Sequence, residues 1–209
     1  MDIKVVEIDG NRFYRGPDKK LMPSASSVLD VLFPMEKNFI PEDALATGIL
    51  CHKEVSKALV GELVHRIPYT EHEDPKIARR VAAALEWLVK SRLEILAVES
   101  PTMFLGVGMT PDLLGGQSSA IVDADGKPVT AAHYHVVDWK FAESVAERYL
   151  YQAEFYMRAE GAEVATIVRV DREAKVYPVK VTKDDERWEK IKSAVNVRHH
   201  LNRNIKFFA

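Results

Sequence analysis

Asp138-Trp139-Lys140 closes the run His133-Tyr134-His135-Val136-Val137, which has the composition of a β-strand. Side chains alternate along a strand, so Asp138 and Lys140 share one face, about 6–7 Å apart, while Trp139 and Val137 take the other. A carboxylate beside an ammonium is an unusual use of a buried strand, which is normally continuous Val, Ile and Leu. It reads either as a surface ion pair, which stabilises little, or as part of a site. Pro111-Asp112 stands at the start of the preceding predicted strand. Neighbouring strands lie about 5 Å apart, so Asp112 and Asp138 can present two carboxylates to one gap. Two carboxylates and water suit Mg²⁺ or Mn²⁺, hard cations that keep part of their hydration shell. Glu99 offers a further acid. His52 sits on a predicted helix with Gly48 one turn earlier, which would allow close approach. Gln152 and Tyr156 lie one turn apart on the helix after Lys140. Each of these has an ordinary use: a turn cap, a solvated helix end, a core histidine, a helix-surface residue. Together they are much less expected by chance.

The elements that must position them follow from periodicity and punctuation. Ile3–Ile8 and Arg12–Arg15 flank Asp9-Gly10, a hairpin signal. Ser24 or Ser26 would cap a short helix over Val28–Phe33. Pro41-Glu42-Asp43 opens a longer helix that Gly61 would stop. Asp74-Pro75 opens another, predicted to run to about Ala97, with Trp87 at a core spacing. Strands are expected at Thr102–Val107, Met109–Leu114 with its continuation at Ala120–Asp123, and Tyr134–Phe141, with Gly115-Gly116 as a bend or bulge and Asp125-Gly126 as a turn. A helix over Ala142–Ala159 ends at Gly161. Strands at Glu163–Val170 and Lys175–Val181 pair antiparallel, and a helix begins at Asp184. The class is α/β with a mixed sheet, read as one domain over residues 1–209.

In that order, Gly48-Ile-Leu-Cys-His52, Gly108-Met-Thr-Pro-Asp112, Asp138-Trp-Lys140 and Gln152-Ala-Glu-Phe-Tyr156 resemble the PD-(D/E)XK nuclease superfamily in its RecB-like exonuclease branch. Pro23-Ser24-Ala-Ser26-Ser-Val-Leu29 is similar to the N-terminal motif of phage and mitochondrial-genome-maintenance exonucleases of that branch. The resemblance spans roughly residues 23–171. It implies a restriction-endonuclease-like αβββαβ core at about 41–181, with an N-terminal hairpin and helical extension over 1–40 and a C-terminal basic helix over 184–209. It implies metal binding by Asp112, Asp138 and the main-chain carbonyl of Trp139, with His52 a ligand or the orienter of one. Lys140 would hold or help deprotonate the attacking water. Gln152 and Tyr156, with Ser24 and Ser26, would contact nucleic acid or support the site. Glu99 ranks below the others as a ligand. The spacing from Asp112 to Asp138 is long for the family, and Gln117–Ala132 reads as an extended hairpin. The implied activity is Mg²⁺- or Mn²⁺-dependent hydrolysis of DNA, from ends rather than internally. The implied setting is phage-type recombination, replication or repair, with phage recombination or replication proteins as partners.

Composition bounds these expectations. Apolar content of 47% is ordinary for a globular chain. No apolar run reaches membrane-spanning length, and MDIKVVEIDG lacks a signal-peptide pattern, so a cytoplasmic location, in a bacterial or phage-infected cell, is expected. Cys51 alone excludes a disulfide framework and a four-cysteine cluster within the chain. The net charge of −2 does not advertise nucleic-acid binding. The charge is uneven, however, with Arg187, Lys190, Lys192, Arg198, Arg203 and Lys206 gathered near the C-terminal end. Lys53, Lys57, Arg79, Arg80, Lys90 and Arg92 on the two helices before the sheet are a second candidate track. A catalytically inactive nucleic-acid-binding protein on the same fold and an endonuclease are the alternatives. A nucleotide- or sugar-binding protein lacks the Gly-rich phosphate loop.

Overall fold

The computed structural model of the chain describes residues 3–8, 10–34, 41–61, 72–122 and 128–204. Asp9, Asp123, Asp125, Gly126 and Lys206 lie outside them.

β1 (Lys4–Ile8), β2 (Asn11–Arg15) and β3 (Leu21–Pro23) form an antiparallel N-terminal sheet. Ser24 then caps α1 (Ala25–Leu32), its hydroxyl accepting from the Ser27 N–H at 3.2 Å. α2 (Glu42–Gly61) and α3 (Pro75–Ser91) follow, the latter with Asp74 as N-cap and Pro75 in its first turn.

The helix expected to reach Ala97 stops at Ser91. Arg92 adopts a left-handed φ of 56° and turns the chain, and β4 (Glu94–Val98) follows as a strand. A helix end on Arg rather than Gly leaves no sequence mark, and the short apolar run after it fits either period. This moves the meander by one strand. Thr102–Phe104 (β5) and Val107–Met109 (β6) make a separate two-stranded hairpin through Leu105 and Gly106, both at positive φ. Pro111 interrupts the expected Met109–Leu114 strand, and β7 runs from Leu113 to Val122. It pairs antiparallel with β8 (Pro128–Lys140) from Leu113↔Val137 out to Val122↔Pro128, the extended hairpin foreseen. The irregularity expected at Gly115-Gly116 lies in the facing strand, between Ile95 and Ala97. A side chain on Gly116 would meet Leu96 Cδ1 at 3.0 Å.

α4 (Glu147–Glu160), capped by left-handed Gly161, crosses over to β9 (Val164–Val170), which lies parallel to β8. β10 (Val176–Thr182) returns antiparallel, and α5 (Asp185–Asn204) ends the described chain. The main sheet has the order β10-β9-β8-β7-β4. The succession α3, β4, β7, β8, α4, β9 is the αβββαβ order that the motifs imply. Among the described residues no helix is long and apolar enough to cross a membrane.

Two apolar cores flank the sheet. On one face α2 and α3 pack Val55, Leu59, Val81 and Leu88 against Leu113, Val137, Trp139 and Val168. On the other, α1, α4 and α5 pack Leu29, Phe155 and Ile191 against Val136 and Ile167. Strand alternation therefore sends Trp139 into the first core and turns Asp138 and Lys140 toward α4. Gly108 docks the N-terminal sheet: a Cβ there would lie 2.0 Å from the Tyr14 ring, so only glycine admits the packing. Gly48 has no such role, since a Cβ would meet nothing within 4 Å; the close approach expected beside His52 is absent.

Candidate functional site

The site is built at the end of β8. Antiparallel pairing with β7 stops at Leu113↔Val137. Odd-numbered residues of β8 direct their N–H and C=O toward β7, so Trp139 projects both beyond the last pair. The Asp112 side chain fills that place: its Oδ2 accepts the Trp139 N–H at 2.7 Å. The same carboxylate lies 3.4 Å from His52 Nδ1 on α2. On the face toward α4, Lys140 Nζ lies 2.7 Å from Asp138 Oδ2 and 4.7 Å from the centre of the Tyr149 ring. Next to Tyr149, Arg148 ties α4 to α1 through Asp30 at 2.9 Å and the Ser26 carbonyl at 2.8 Å.

These groups perturb one another. Burial pushes the Asp138 carboxyl up to about 6, with Asp112 adding to the rise and Lys140 only partly offsetting it. Burial would raise Asp112 as well, but the His52 charge and hydrogen bond outweigh it and hold that carboxyl below its usual range. For His52, burial acts downward, and the attraction of Asp112 wins and raises it. For Lys140, burial again acts downward, and Asp138 and Asp112 raise it above the ordinary lysine value. Lys140 is therefore a cation at neutral pH. Burial and the nearby Asp138 charge raise the Tyr156 phenol well above its ordinary value, and Gln152 Nε2 donates to its oxygen at 2.7 Å.

The structure thus gathers Asp112, Asp138, Lys140 and His52, with the Gln152–Tyr156 pair alongside. Glu99 comes close in another way. It is exposed, at a positive φ of 41°, its N–H donates to the Asp112 carbonyl at 3.0 Å, and its carboxylate takes the Ser56 hydroxyl of α2. Ser24 is buried as a helix cap and Ser26 is exposed; among the described contacts neither meets the carboxylates. Of the cations expected to form a track along α3, Arg79 is exposed, but Arg80, Lys90 and Arg92 are used otherwise. Arg80 is buried, donating to the Val170 carbonyl at 2.8 Å and lying over Phe141. Lys90 pairs with Glu86, Arg92 is the helix cap, and Trp87 packs edge-on to Trp139.

A cleft of about 590 Å³ opens beside these groups, lined by Arg12, Ile49, His52, Lys53, Ser56, Lys57, Val60, Glu99, Thr110 and Asp112. Asp138 and Lys140 do not line it. Sequence reasoning missed Arg12, Ser56, Thr110 and Tyr149. Only Tyr149 carried a local signal: it precedes Gln152 by three residues, so the two share a helix face.

The donor set fits a divalent metal. Asp112, Asp138 and the Trp139 carbonyl are hard oxygen donors at one strand end, and burial beside a second carboxylate leaves Asp138 short of positive charge. Among the described residues no three Asp, Glu, His or Cys side chains converge as a ready-made cage. A cation here would be held by two carboxylates, a carbonyl and water, as Mg²⁺ commonly is. His52 faces Asp112, in the manner of a group orienting a ligand.

No protein-family model and no curated protein matches the chain. Among solved structures, it is similar to an alkaline exonuclease (LHK-Exo) from Laribacter hongkongensis, at 15% identity over 89% of this chain and 90% of that one, with a TM-score of 0.49. The same exonuclease in complex with dAMP is similar at 14% identity, with equal coverage and TM-score. A phage-related exonuclease from Haemophilus somnus 129PT is similar at 14% identity over 83% of this chain and 89% of that one, with a TM-score of 0.40.

Proposed function

We propose that this protein is a metal-dependent deoxyribonuclease of the PD-(D/E)XK superfamily that acts from DNA ends. The observation that carries the proposal is the strand end at which Asp112 accepts the Trp139 N–H at 2.7 Å while Asp138 and Lys140 pair beside it at 2.7 Å. Asp112, Asp138 and the Trp139 carbonyl would hold Mg²⁺ or Mn²⁺. When bound, such a cation supplies Lewis acidity and lowers the pKa of coordinated water.

The chain's own residues have the remaining tasks. Lys140 keeps its proton at Nζ and donates to the attacking water or a phosphate oxygen, offsetting charge that develops in the transition state. Tyr149, over the ammonium, limits where Nζ can go. His52 steadies Asp112 from the helix side, and Phe141, edge-on to the imidazole at 5.2 Å, limits its rotation. Gln152 and Tyr156 wall the α4 side. A role in phage-type recombination, replication or repair is suggested by the order of the motifs alone.

The test is to incubate linear duplex, single-stranded and covalently closed circular DNA with the protein in Mg²⁺, Mn²⁺ or EDTA. Linear DNA is expected to be shortened with either metal and spared in EDTA, while the circle survives. Linearisation of the circle would make the activity endonucleolytic. No cleavage under any condition would leave a binding protein on this fold.

A further inference from the structure

The residues opposite the carboxylates point to where the substrate backbone lies. We infer that Arg12 on β2 and Lys53 on α2 grip the phosphates of the DNA strand being cleaved, from opposite walls of the cleft, and that Arg187, Lys190 and Lys192 of α5 do not. This rests on the nuclease reading above and adds to it the contact surface of that site.

Three observations carry it. The first is charge placement. The carboxylates of Asp112 and Glu99 lie in the same cleft as Arg12, Lys53 and Lys57. Lys57 pairs with Glu54 on its own helix. Arg12 and Lys53 are exposed and make no ion pair among the described residues. Cations set around a carboxylate-bearing cleft suit a polyanion whose backbone passes over a metal. The second is the anchoring of the far wall. Arg12 and Tyr14 share a face of β2, and the Tyr14 hydroxyl meets Thr110 Oγ1 at 2.9 Å, two residues before Asp112. The hairpin that bears Arg12 is thereby fixed to the segment that bears the carboxylate. The third is the apolar surface between the cations. Ile49 and Val60 on α2 are each 59% exposed and line the same cleft. Exposed aliphatic groups beside cations serve sugars and bases as well as phosphates.

Three of the α5 cations are engaged elsewhere. Arg187 faces Glu154 and Asp184, Lys190 pairs with Glu186, and Lys192 pairs with Glu189.

The experiment measures binding of a fluorescein-labelled linear DNA duplex across a salt series. It uses the full chain carrying Asp138→Asn, so that the probe stays intact. Each phosphate contact contributes about 0.9 to the slope of log K against log salt on duplex DNA. Arg12→Gln and Lys53→Gln, added singly, are expected to flatten the slope by about that amount each, and Lys192→Gln to leave it unchanged. In the cleaving protein, Arg12→Gln is expected to raise KM with little change in kcat. All three positions are on the surface, and melting curves confirm that each variant is folded. An unchanged slope for both cleft variants overturns the inference, as does flattening by Lys192→Gln alone. A parent that binds no DNA removes the nuclease reading itself, which separates the two failures.

Discussion

Asp138 carries a stability cost that its proposed role explains. The carboxyl is buried, and its pKa rises from 3.8 to about 6. A carboxyl raised on folding holds its proton longer in the folded state than in the unfolded one. Stability therefore falls as pH rises from about 4 to about 6, and the full cost is in place above that. A rise of this size corresponds to about 3 kcal/mol. It already contains the attraction to Lys140, which is charged throughout. Asp138→Asn removes the charge and keeps the shape. Allowing for relaxation, we expect the variant in EDTA at pH 7.5 to be about 1–3 kcal/mol more stable than the parent, or about 3–10 °C higher in Tm for a chain of this length. It should cleave linear DNA at least about a thousandfold more slowly, a loss of about 4 kcal/mol from the transition state. Mg²⁺ should then raise the Tm of the parent, by about 2.7 kcal/mol of stability at a hundredfold excess over Kd, and leave the variant unchanged. Melting curves with and without Mg²⁺, beside a cleavage assay, make the test. A variant that melts below the parent in EDTA, or that gains as much from Mg²⁺, would refute the reasoning: the carboxylate would then serve the fold through Lys140.

Lys140→Ala should lose most cleavage while calorimetry still detects Mg²⁺; joint loss of both would assign the lysine to the fold. Tyr149→Leu should lower kcat about tenfold with KM little changed, and Tyr149→Phe should restore it, because the ring face rather than the hydroxyl meets Nζ; equal rates for Leu and Phe would contradict that role. Glu154 is fully buried, with Oε1 2.9 Å from Arg158 Nε and Oε2 accepting the Asp184 N–H at 2.9 Å, so Glu154→Ala should cost about 3 kcal/mol in urea unfolding; a change under about 1 kcal/mol would mean the arginines re-pair freely. Burial raises the Cys51 thiol to about 11, so at pH 8 about one thousandth is thiolate. Iodoacetamide should label it only after denaturation, and rapid native labelling would contradict the packing of α2.

Several features of this protein are determined locally and are legible in the chain itself. Strand alternation alone puts Asp138 and Lys140 on one face and Trp139 on the other. Helical spacing alone stacks Gln152 on Tyr156, and Ser24 and Gly161 mark helix ends because capping is chemistry between neighbours. The extended β7–β8 hairpin follows from length. Other features depend on partners far away in sequence. Whether Glu94–Val98 continues a helix or joins a sheet is decided by the edge that Leu113 and Leu114 offer, since short-range preference is balanced there. The register Leu113↔Val137, set by which side chains each core admits, leaves the Trp139 N–H without a strand partner and so gives Asp112 its place. His52 reaches that carboxylate because α2 packs on the sheet through Cys51, Val55 and Leu59, and Arg12 reaches the cleft because Gly108 admits the Tyr14 ring. Arg187 reads as part of an open basic face until the fold brings Glu154 of α4 against it, whereas Lys190 and Lys192 meet Glu186 and Glu189 one turn away on α5 itself. A charge shows its sign in the sequence, but whether it stays free for a ligand depends on which carboxylates the fold brings within reach.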